Sequence, residues 1–433
     1  MRILVDQGGY SEKNMGDTAM LQVTLARLRR RWPDASIRVL TNAPERLRGT
    51  FPTIAPLPAD GQTVWSYDLP APLYGRLPSA IASRLARADW ALRHRLPSAR
   101  WLVLLLAARL ARPVEAEHLA AYRRVVRSTD LVVASGGGYI TDRFPHRANG
   151  TLALMDLACV YGKPTAMFGQ GFGPLDDPFL RAKAQAVLPG IDYIALREQR
   201  EGKPLLERLG VAPSRMTTTG DDAIELAYGA RRTALGEGIG VNVRVASYSG
   251  VDAPLLEELR LVLHSTARAH GAPLIPVPIS HHEDASDPTA IRRVLAAYDD
   301  SSNGGEDLDR PLKVIEQVSR CRVVVTGSYH AAVFALAQGV PAVCLAKSQY
   351  YVDKFWGLAD QFGAGCAVVL LSDEQLRTRL TESIEAAWKE AEQVRPQLLE
   401  AAKKQVNSSR SAYECFFIVD PGIWTVKGGT YRW

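Results

Sequence analysis

His330 stands in the run Thr326-Gly327-Ser328-Tyr329-His330-Ala331, directly after the apolar stretch Val323–Val325. A strand that ends at Gly327 and a helix that begins near Ser328 place His330 in the first turn of that helix. Its side chain and the unpaired N–H groups there then face the same ligand. An imidazole in that position is a candidate general base, with Ser328 and Tyr329 as neighbouring substrate contacts. Asp17 and Asp221 each follow a glycine turn, Asn14-Met15-Gly16-Asp17 and Thr219-Gly220-Asp221-Asp222. Either carboxylate could take a proton or hold a sugar hydroxyl, and either could equally cap the next helix. Arg197 and Arg244 lie at the ends of expected strands. A planar guanidinium there binds phosphate or carboxylate bidentately, or closes a structural ion pair.

Glycine turns gather around these groups. Gly8-Gly9, Asn14 to Asp17, Gly136-Gly137-Gly138 and Gly169-Gln170-Gly171-Phe172-Gly173-Pro174 all fall at expected strand ends. Ligands of open α/β sheets bind beyond those ends, and glycine lets the backbone approach a phosphate. Asn14, Gly16, Gly137, Gly138, Gln170 and Gly171 are therefore read as lining one cleft. No turn has the Lys-Ser/Thr of a phosphate-binding P-loop. His281-His282-Glu283-Asp284 has metal-capable side chains, but adjacent residues diverge and no HxxxH spacing is present, so no metal is expected. The stretch reads instead as a cleft-lining loop in which His281 or His282 touches ligand, or as a solvated loop. Tyr350, Tyr351 and Trp356 could stack on a sugar ring or pack locally.

The elements that must position these residues alternate throughout. Short β-branched runs (Ile3–Asp6, Ser36–Leu40, Leu131–Ala134, Thr165–Phe168, Tyr193–Leu196) alternate with amphipathic helical stretches. After Asp222 the pattern restarts with Ile239–Val243. The fold class expected is α/β, with two successive halves built on parallel sheets. The expected bounds are 1–232 and 236–405, with a tail over 406–433 and a last helix around Glu382–Val406. Of 433 residues, 47% are hydrophobic and 23% charged, which excludes disordered and multi-span membrane classes. Five scattered cysteines give no disulfide or zinc spacing. With no signal-like apolar run at the N-terminus, the expected location is cytoplasmic.

The net charge of +6 is concentrated. Residues 76–127 hold eleven arginines and no lysine against Asp89, Glu115 and Glu117. This segment belongs to a helical insertion at about 60–125, with its arginines expected on one exposed face. That face is either simply solvated or meets an anionic membrane or a polyanionic, lipid-linked substrate. Nucleic acid is not expected, since no recognised motif accompanies the charge.

The order of the motifs carries a resemblance. Gly9-Tyr10 and Asn14-Met15-Gly16-Asp17-Thr18-Ala19 resemble the opening signature of the polysaccharide pyruvyl transferase family. Ser135–Gly138, Gly169–Pro174, Arg197-Glu198, Thr219–Ala223 and the segment around His330 follow in that family's order, over about residues 1–365. The resemblance implies a GT-B-like pair of Rossmann-like domains with an inter-domain cleft. It also implies transfer of a pyruvyl group from phosphoenolpyruvate to hydroxyls of a sugar, glycan or lipid-linked precursor, with no further cofactor. For that chemistry His330, Asp17 and Asp221 are the candidates for catalysis, and Arg197 and Arg244 for clamping the donor. This chain departs from the pattern at Ser328, where characterised members tend to carry arginine. Lys347, Lys354 or Arg244 would then supply the cation, or the donor would differ. Two other readings follow from that departure: a GT-B-like transferase using a nucleotide sugar or modifying a small natural product, and an inactive relative that only binds.

Overall fold

The computed structural model describes residues 1–8, 11–67, 77–111, 113–244, 252–283 and 285–418. Gly9, Tyr10, Arg76, Arg112, Asp284 and the tail beyond 418 lie outside them.

Two parallel sheets are present. The first contains β1 (Arg2–Asp6), β2 (Ser36–Thr41), β3 (Ala55–Pro58), β4 (Leu131–Ala134), β5 (Gly137–Ile140), β6 (Thr165–Phe172), β7 (Tyr193–Leu196) and β8 (Met216–Thr218). Its order is β3-β2-β1-β4-β6-β7-β8, with β5 also pairing β6. The second contains β9 (Gly238–Asn242), β10 (Leu274–Pro276), β13 (Cys321–Thr326), β14 (Ala342–Ala346) and β15 (Cys366–Leu370), ordered β10-β9-β13-β14-β15. Between them in sequence, β11 (His281–His282) and β12 (Ala285–Ser286) form a small antiparallel hairpin. The central strands β1, β4, β9 and β14 are buried along nearly their whole length, as continuous apolar runs require when helices cover both faces. The chain reverses its direction of winding at β1/β4 and at β9/β13, where open sheets form their crevices.

Two glycine stretches read as loops belong to strands. Gly169, Gln170 and Gly171 continue β6, and Gly137 and Gly138 open β5. Gly169 has φ +57, so the strand kinks there. Glycine at Gly138, Gly169 and Gly171 reflects close tertiary neighbours, Arg197 at the first and third and Asp222 at the second.

Helix Met15–Arg31 joins the lobes. Asn14 caps it, accepting from the amides of Gly16 (3.0 Å) and Asp17 (3.2 Å). The backbone just before the helix is stitched to the second half: Met15 N donates to Ile279 O (2.8 Å), and His281 N donates to Lys13 O (2.8 Å). Met15, Ala19 and Met20 share a core with Val277, Val324, Tyr329 and Phe334. The last helix, Leu376–Ile418, runs unbroken past residue 405. It lies against β13 to β15 at one end, while Tyr413, Phe416 and Phe417 enter the core of the first sheet at the other. There Tyr413 stacks on Phe168 at 3.6 Å and donates to Asp222 (2.8 Å).

The insertion is helical over Asp60–Ser66, Ser79–Arg95, Pro97–Ala111 and Pro113–Ser128. Its arginines do not all face solvent. Arg93 and Arg100 are completely buried, and both pair with Asp89. Arg100 also donates to the carbonyls of Trp65 (2.9 Å) and Tyr67 (2.6 Å) and lies over the Trp65 ring. Those carbonyls end helix Asp60–Ser66 and need cationic donors, which is why the two arginines turn inward.

Candidate active site

The carboxyl ends of β1, β6, β7, β9 and β13 converge where the lobes meet. His330 lies in the first turn of helix Tyr329–Ala337, almost fully buried. Its Nε2 stands 3.6 Å from Asp221 Oδ2. A Cβ on Gly16, in the other lobe, would lie 1.9 Å from the His330 ring, so only glycine fits. Asp221 is held by the Ala223 amide (2.9 Å) and by Arg197 Nη1 at 3.7 Å. Burial pushes the Asp221 carboxyl up, but His330, Arg197 and the amide outweigh it and hold it below the usual carboxylate range. The adjacent Asp222 points the other way, to Arg27, Ser409 and Tyr413.

Arg197 is buried at the end of β7 and lies over the Tyr329 ring, 4.2 Å from its centroid. The glycines of β5 and β6 make room for it. A Cβ on Gly171 would meet its Nε at 2.6 Å. One on Gly138 would stand 2.5 Å from its Nη2 and 2.8 Å from Lys354 Nζ. Arg197 and Lys354 therefore flank one point. Lys354, from helix Gln349–Phe362, bonds to the Tyr350 hydroxyl, which in turn donates to Gly138 O (3.2 Å). Burial, and then the Arg197 charge, push the Lys354 ammonium well below its ordinary value. A cavity of about 180 Å³ opens beside this pair, lined by Gly138, Gly171, Arg197, Tyr329, Tyr350 and Lys354 among others, with Arg181 and Arg208 at its exposed edge.

Arg244 pairs within its own lobe with Asp287 (Nε–Oδ1 3.0 Å, Nη2–Oδ2 3.3 Å). Asp287 Oδ2 also accepts from Asn242 Nδ2 and from the amides of Ile279 and Ser280. Arg244 still faces the cleft electrostatically, contributing to the field at Lys354 and His282. Lys347 sits with Arg244 and Tyr351 at a separate small recess. The hairpin divides its histidines. His281 Nε2 bonds to Leu308 O (3.1 Å), whereas His282 lies in the fields of Arg147, Asp17, Lys13 and Arg244. Burial lowers both imidazoles. Asp17 is half-buried on the cleft side of its helix, where its charge reaches Lys354 and His282. Ser328 is buried and its amide bonds to Thr326 Oγ1 (2.8 Å), while Trp356 is exposed. Among the described residues no group of three His, Cys, Asp or Glu side chains could hold a metal.

Five buried polar atoms at this junction find no hydrogen-bond partner among the described residues: Gln170 Oε1, Arg197 Nε, Asp221 Oδ2, Tyr329 Oη and His330 Nε2. Buried polar groups are nearly always satisfied. Gln170 Nε2 is itself fixed on Gly137 O (2.8 Å), so its carbonyl is presented outward. The sequence alone did not single out Asp6. It is fully buried and accepts from Gly8 N (2.9 Å), Gln62 Nε2 (2.9 Å) and Thr151 Oγ1 (2.8 Å), which sets the turn after β1.

The model of the family described as polysaccharide pyruvyl transferase matches residues 14–349. The chain belongs to the polysaccharide pyruvyl transferase family. It is a transferase, with the family's motifs arranged around the junction just described. No curated protein matches it by sequence. Its fold is similar to that of a Listeria monocytogenes protein assigned as a UDP-N-acetylglucosamine 2-epimerase, at 13% identity over 94% of this chain and 93% of that one, TM-score 0.54. It is also similar to the UDP-GlcNAc 2-epimerase of Neisseria meningitidis bound to UDP-GlcNAc, at 11% identity over 96% and 99%, TM-score 0.54. These likenesses establish the architecture as two Rossmann-like domains in a GT-B-like arrangement.

Proposed function

We propose that this transferase moves a pyruvyl group from phosphoenolpyruvate to hydroxyls of a sugar or glycan precursor, with the donor seated between Arg197 and Lys354. The observation that supports this reading is the buried Arg197 and half-buried Lys354 flanking one point beside Gly138, with Arg197 Nε and Tyr329 Oη left without a hydrogen-bond partner among the described residues. A small phosphorylated anion would accept from these donors, and the acceptor's hydroxyls would donate to Gln170 Oε1 and Asp221. Lys354 serves as the second cation in place of an arginine at Ser328. Arg244 acts through the field of the cleft rather than by direct clamping.

His330 and Asp221 form the proton-transfer pair. One acceptor hydroxyl adds to C2 of the donor while a proton goes to the methylene carbon. The second hydroxyl displaces phosphate at C2, and its proton leaves with the base or the phosphate. In this reading His330 moves these protons and Asp221 stabilises the imidazolium formed. Asp17 and His282, on the acceptor side, orient the sugar. Closing the lobes excludes water from the activated carbon.

A nucleotide sugar is the alternative donor, since the Neisseria epimerase holds one on the same fold. The cavity of about 180 Å³ favours the smaller molecule; pockets for drug-sized ligands run to roughly 300–1,000 Å³. A thermal-shift series with phosphoenolpyruvate and UDP-sugars separates the two. Ligand at a hundredfold its Kd should stabilise by about 2.7 kcal/mol. Stabilisation by UDP-sugars alone would replace this reading with the second. For turnover, phosphate release with acceptor glycans should fall roughly 10²–10⁴-fold in His330→Ala.

A further inference from the structure

Helix Pro97–Ala111 is apolar on both of its faces. Trp101, Leu104 and Ala108 are buried against the first lobe. The opposite stripe, Ala99, Leu102, Val103, Leu106 and Ala107, is exposed throughout, at helical spacing. Leu102 is 57% exposed, Val103 48% and Leu106 50%, and Leu96 and Val114 stand open at either end. A helix that is hydrophobic all round is normally covered on every side, yet here one side has no cover among the described residues. Among those residues no helix is long and apolar enough to cross a membrane.

The surroundings indicate what covers it. A groove of about 570 Å³ runs between this helix and Pro113–Ser128, with Trp101, Leu105, Leu119 and Ala120 on its floor and Arg123, Arg124 and Arg127 along its edge. Arg95 and Arg109 are exposed beside the stripe. Of the acidic residues in the segment, Asp89 is spent inside on Arg93 and Arg100, and Glu115 and Glu117 stand on helix Pro113–Ser128 against the larger number of arginines there and beside the stripe. An apolar stripe ringed by an excess of guanidinium groups complements a surface that is apolar beneath and anionic at its rim. A second copy of this chain would bring like charges together across the contact.

We infer that this helical pair seats the enzyme on an anionic bilayer. Leu102, Val103 and Leu106 enter the boundary between headgroups and acyl chains, the groove accepts part of a lipid, and Arg123, Arg124 and Arg127 meet the phosphates. The contact is interfacial and reversible, and it weakens with salt because the arginines are exposed.

Co-sedimentation of the full chain with vesicles tests this, comparing pure phosphatidylcholine with phosphatidylcholine containing roughly 30% phosphatidylglycerol. Binding is expected only to the anionic vesicles. It should fall at least about tenfold in Leu102→Glu/Leu106→Glu and in Arg124→Gln/Arg127→Gln. These side chains are exposed, so the variants should retain the parent's Tm. Absence of binding to anionic vesicles at low salt overturns the inference, as does binding that survives both variants. A stable dimer that Leu102→Glu/Leu106→Glu dissociates, without vesicle binding, would make this face an interface between copies instead.

Discussion

Gly16 and His330, from opposite lobes, occupy adjoining space so closely that a single methyl on the glycine would lie 1.9 Å from the imidazole. The glycine of the opening motif and the histidine of the closing one are two halves of one packing contact. Gly16→Ala must displace the ring, at a cost of roughly 1–3 kcal/mol for overpacking. Removing the imidazole removes the two closest contacts and leaves only the His330 Cβ, 2.5 Å away, which alanine retains. Gly16→Ala/His330→Ala should therefore be less destabilised than the sum of its single variants when measured by urea unfolding. Additive costs would show that the ring simply moves aside.

Lys354 gives the donor site a pH signature. Its ammonium value is pushed well down by burial and by Arg197. A lysine with a lowered value is neutral above that value, and an anion docked between it and Arg197 favours the charged form. Phosphoenolpyruvate binding should take up a proton and weaken as pH rises through the lowered value. Calorimetry in two buffers of different ionisation enthalpy measures the uptake. Lys354→Met should abolish it and weaken binding by about 1.5–3 kcal/mol, the range for a hydrogen bond to a charged group. An unchanged pH slope in Lys354→Met would take this lysine out of the donor site.

Asp221 links the site to acid stability. Its folded value lies below the ordinary carboxylate value, through His330 and Arg197 acting against burial. A carboxyl lowered on folding contributes stability that is fully present above its unfolded value, about 3.9, and lost as pH falls through the folded value. His330→Ala removes the foremost favourable partner, so acid unfolding should begin at higher pH than in the parent. A midpoint that does not move would mean that Arg197 alone holds Asp221.

The strand–helix alternation and the restart after Asp222 were legible because continuous apolar runs and glycine punctuation are local signals. Gly16 and Gly138 were visible as turn glycines, but not what each makes room for, since His330, Arg197 and Lys354 arrive through tertiary packing. Asp221 and Asp222 looked equivalent in sequence. At the start of the helix Ala223–Gly229 that follows them, one turns to the cleft and the other to Arg27 and Tyr413. Arg244 read as a clamp because its partner, Asp287, lies 43 residues on, beyond helix Ala253–His270 and the strands β10, β11 and β12. In the insertion, eleven arginines read as one face because charge alone does not reveal which guanidinium groups find a buried carboxylate.

That last distinction predicts unequal costs within a single basic segment. Arg93 and Arg100 are fully buried and depend on Asp89 for charge balance. Asp89→Asn leaves two guanidinium groups without their carboxylate, and breaking a buried pair from one side costs about 3–5 kcal/mol. Arg124 is exposed, and surface substitutions of that kind stay within about ±0.5 kcal/mol. Denaturant unfolding of Asp89→Asn and Arg124→Ala should therefore differ by several kcal/mol, although both alter one charge within the same insertion. Similar stabilities would mean that water reaches Arg93 and Arg100, and that the insertion is held by the stacked Trp65 and Trp101 rings, 4.3 Å apart, rather than by its ion pairs.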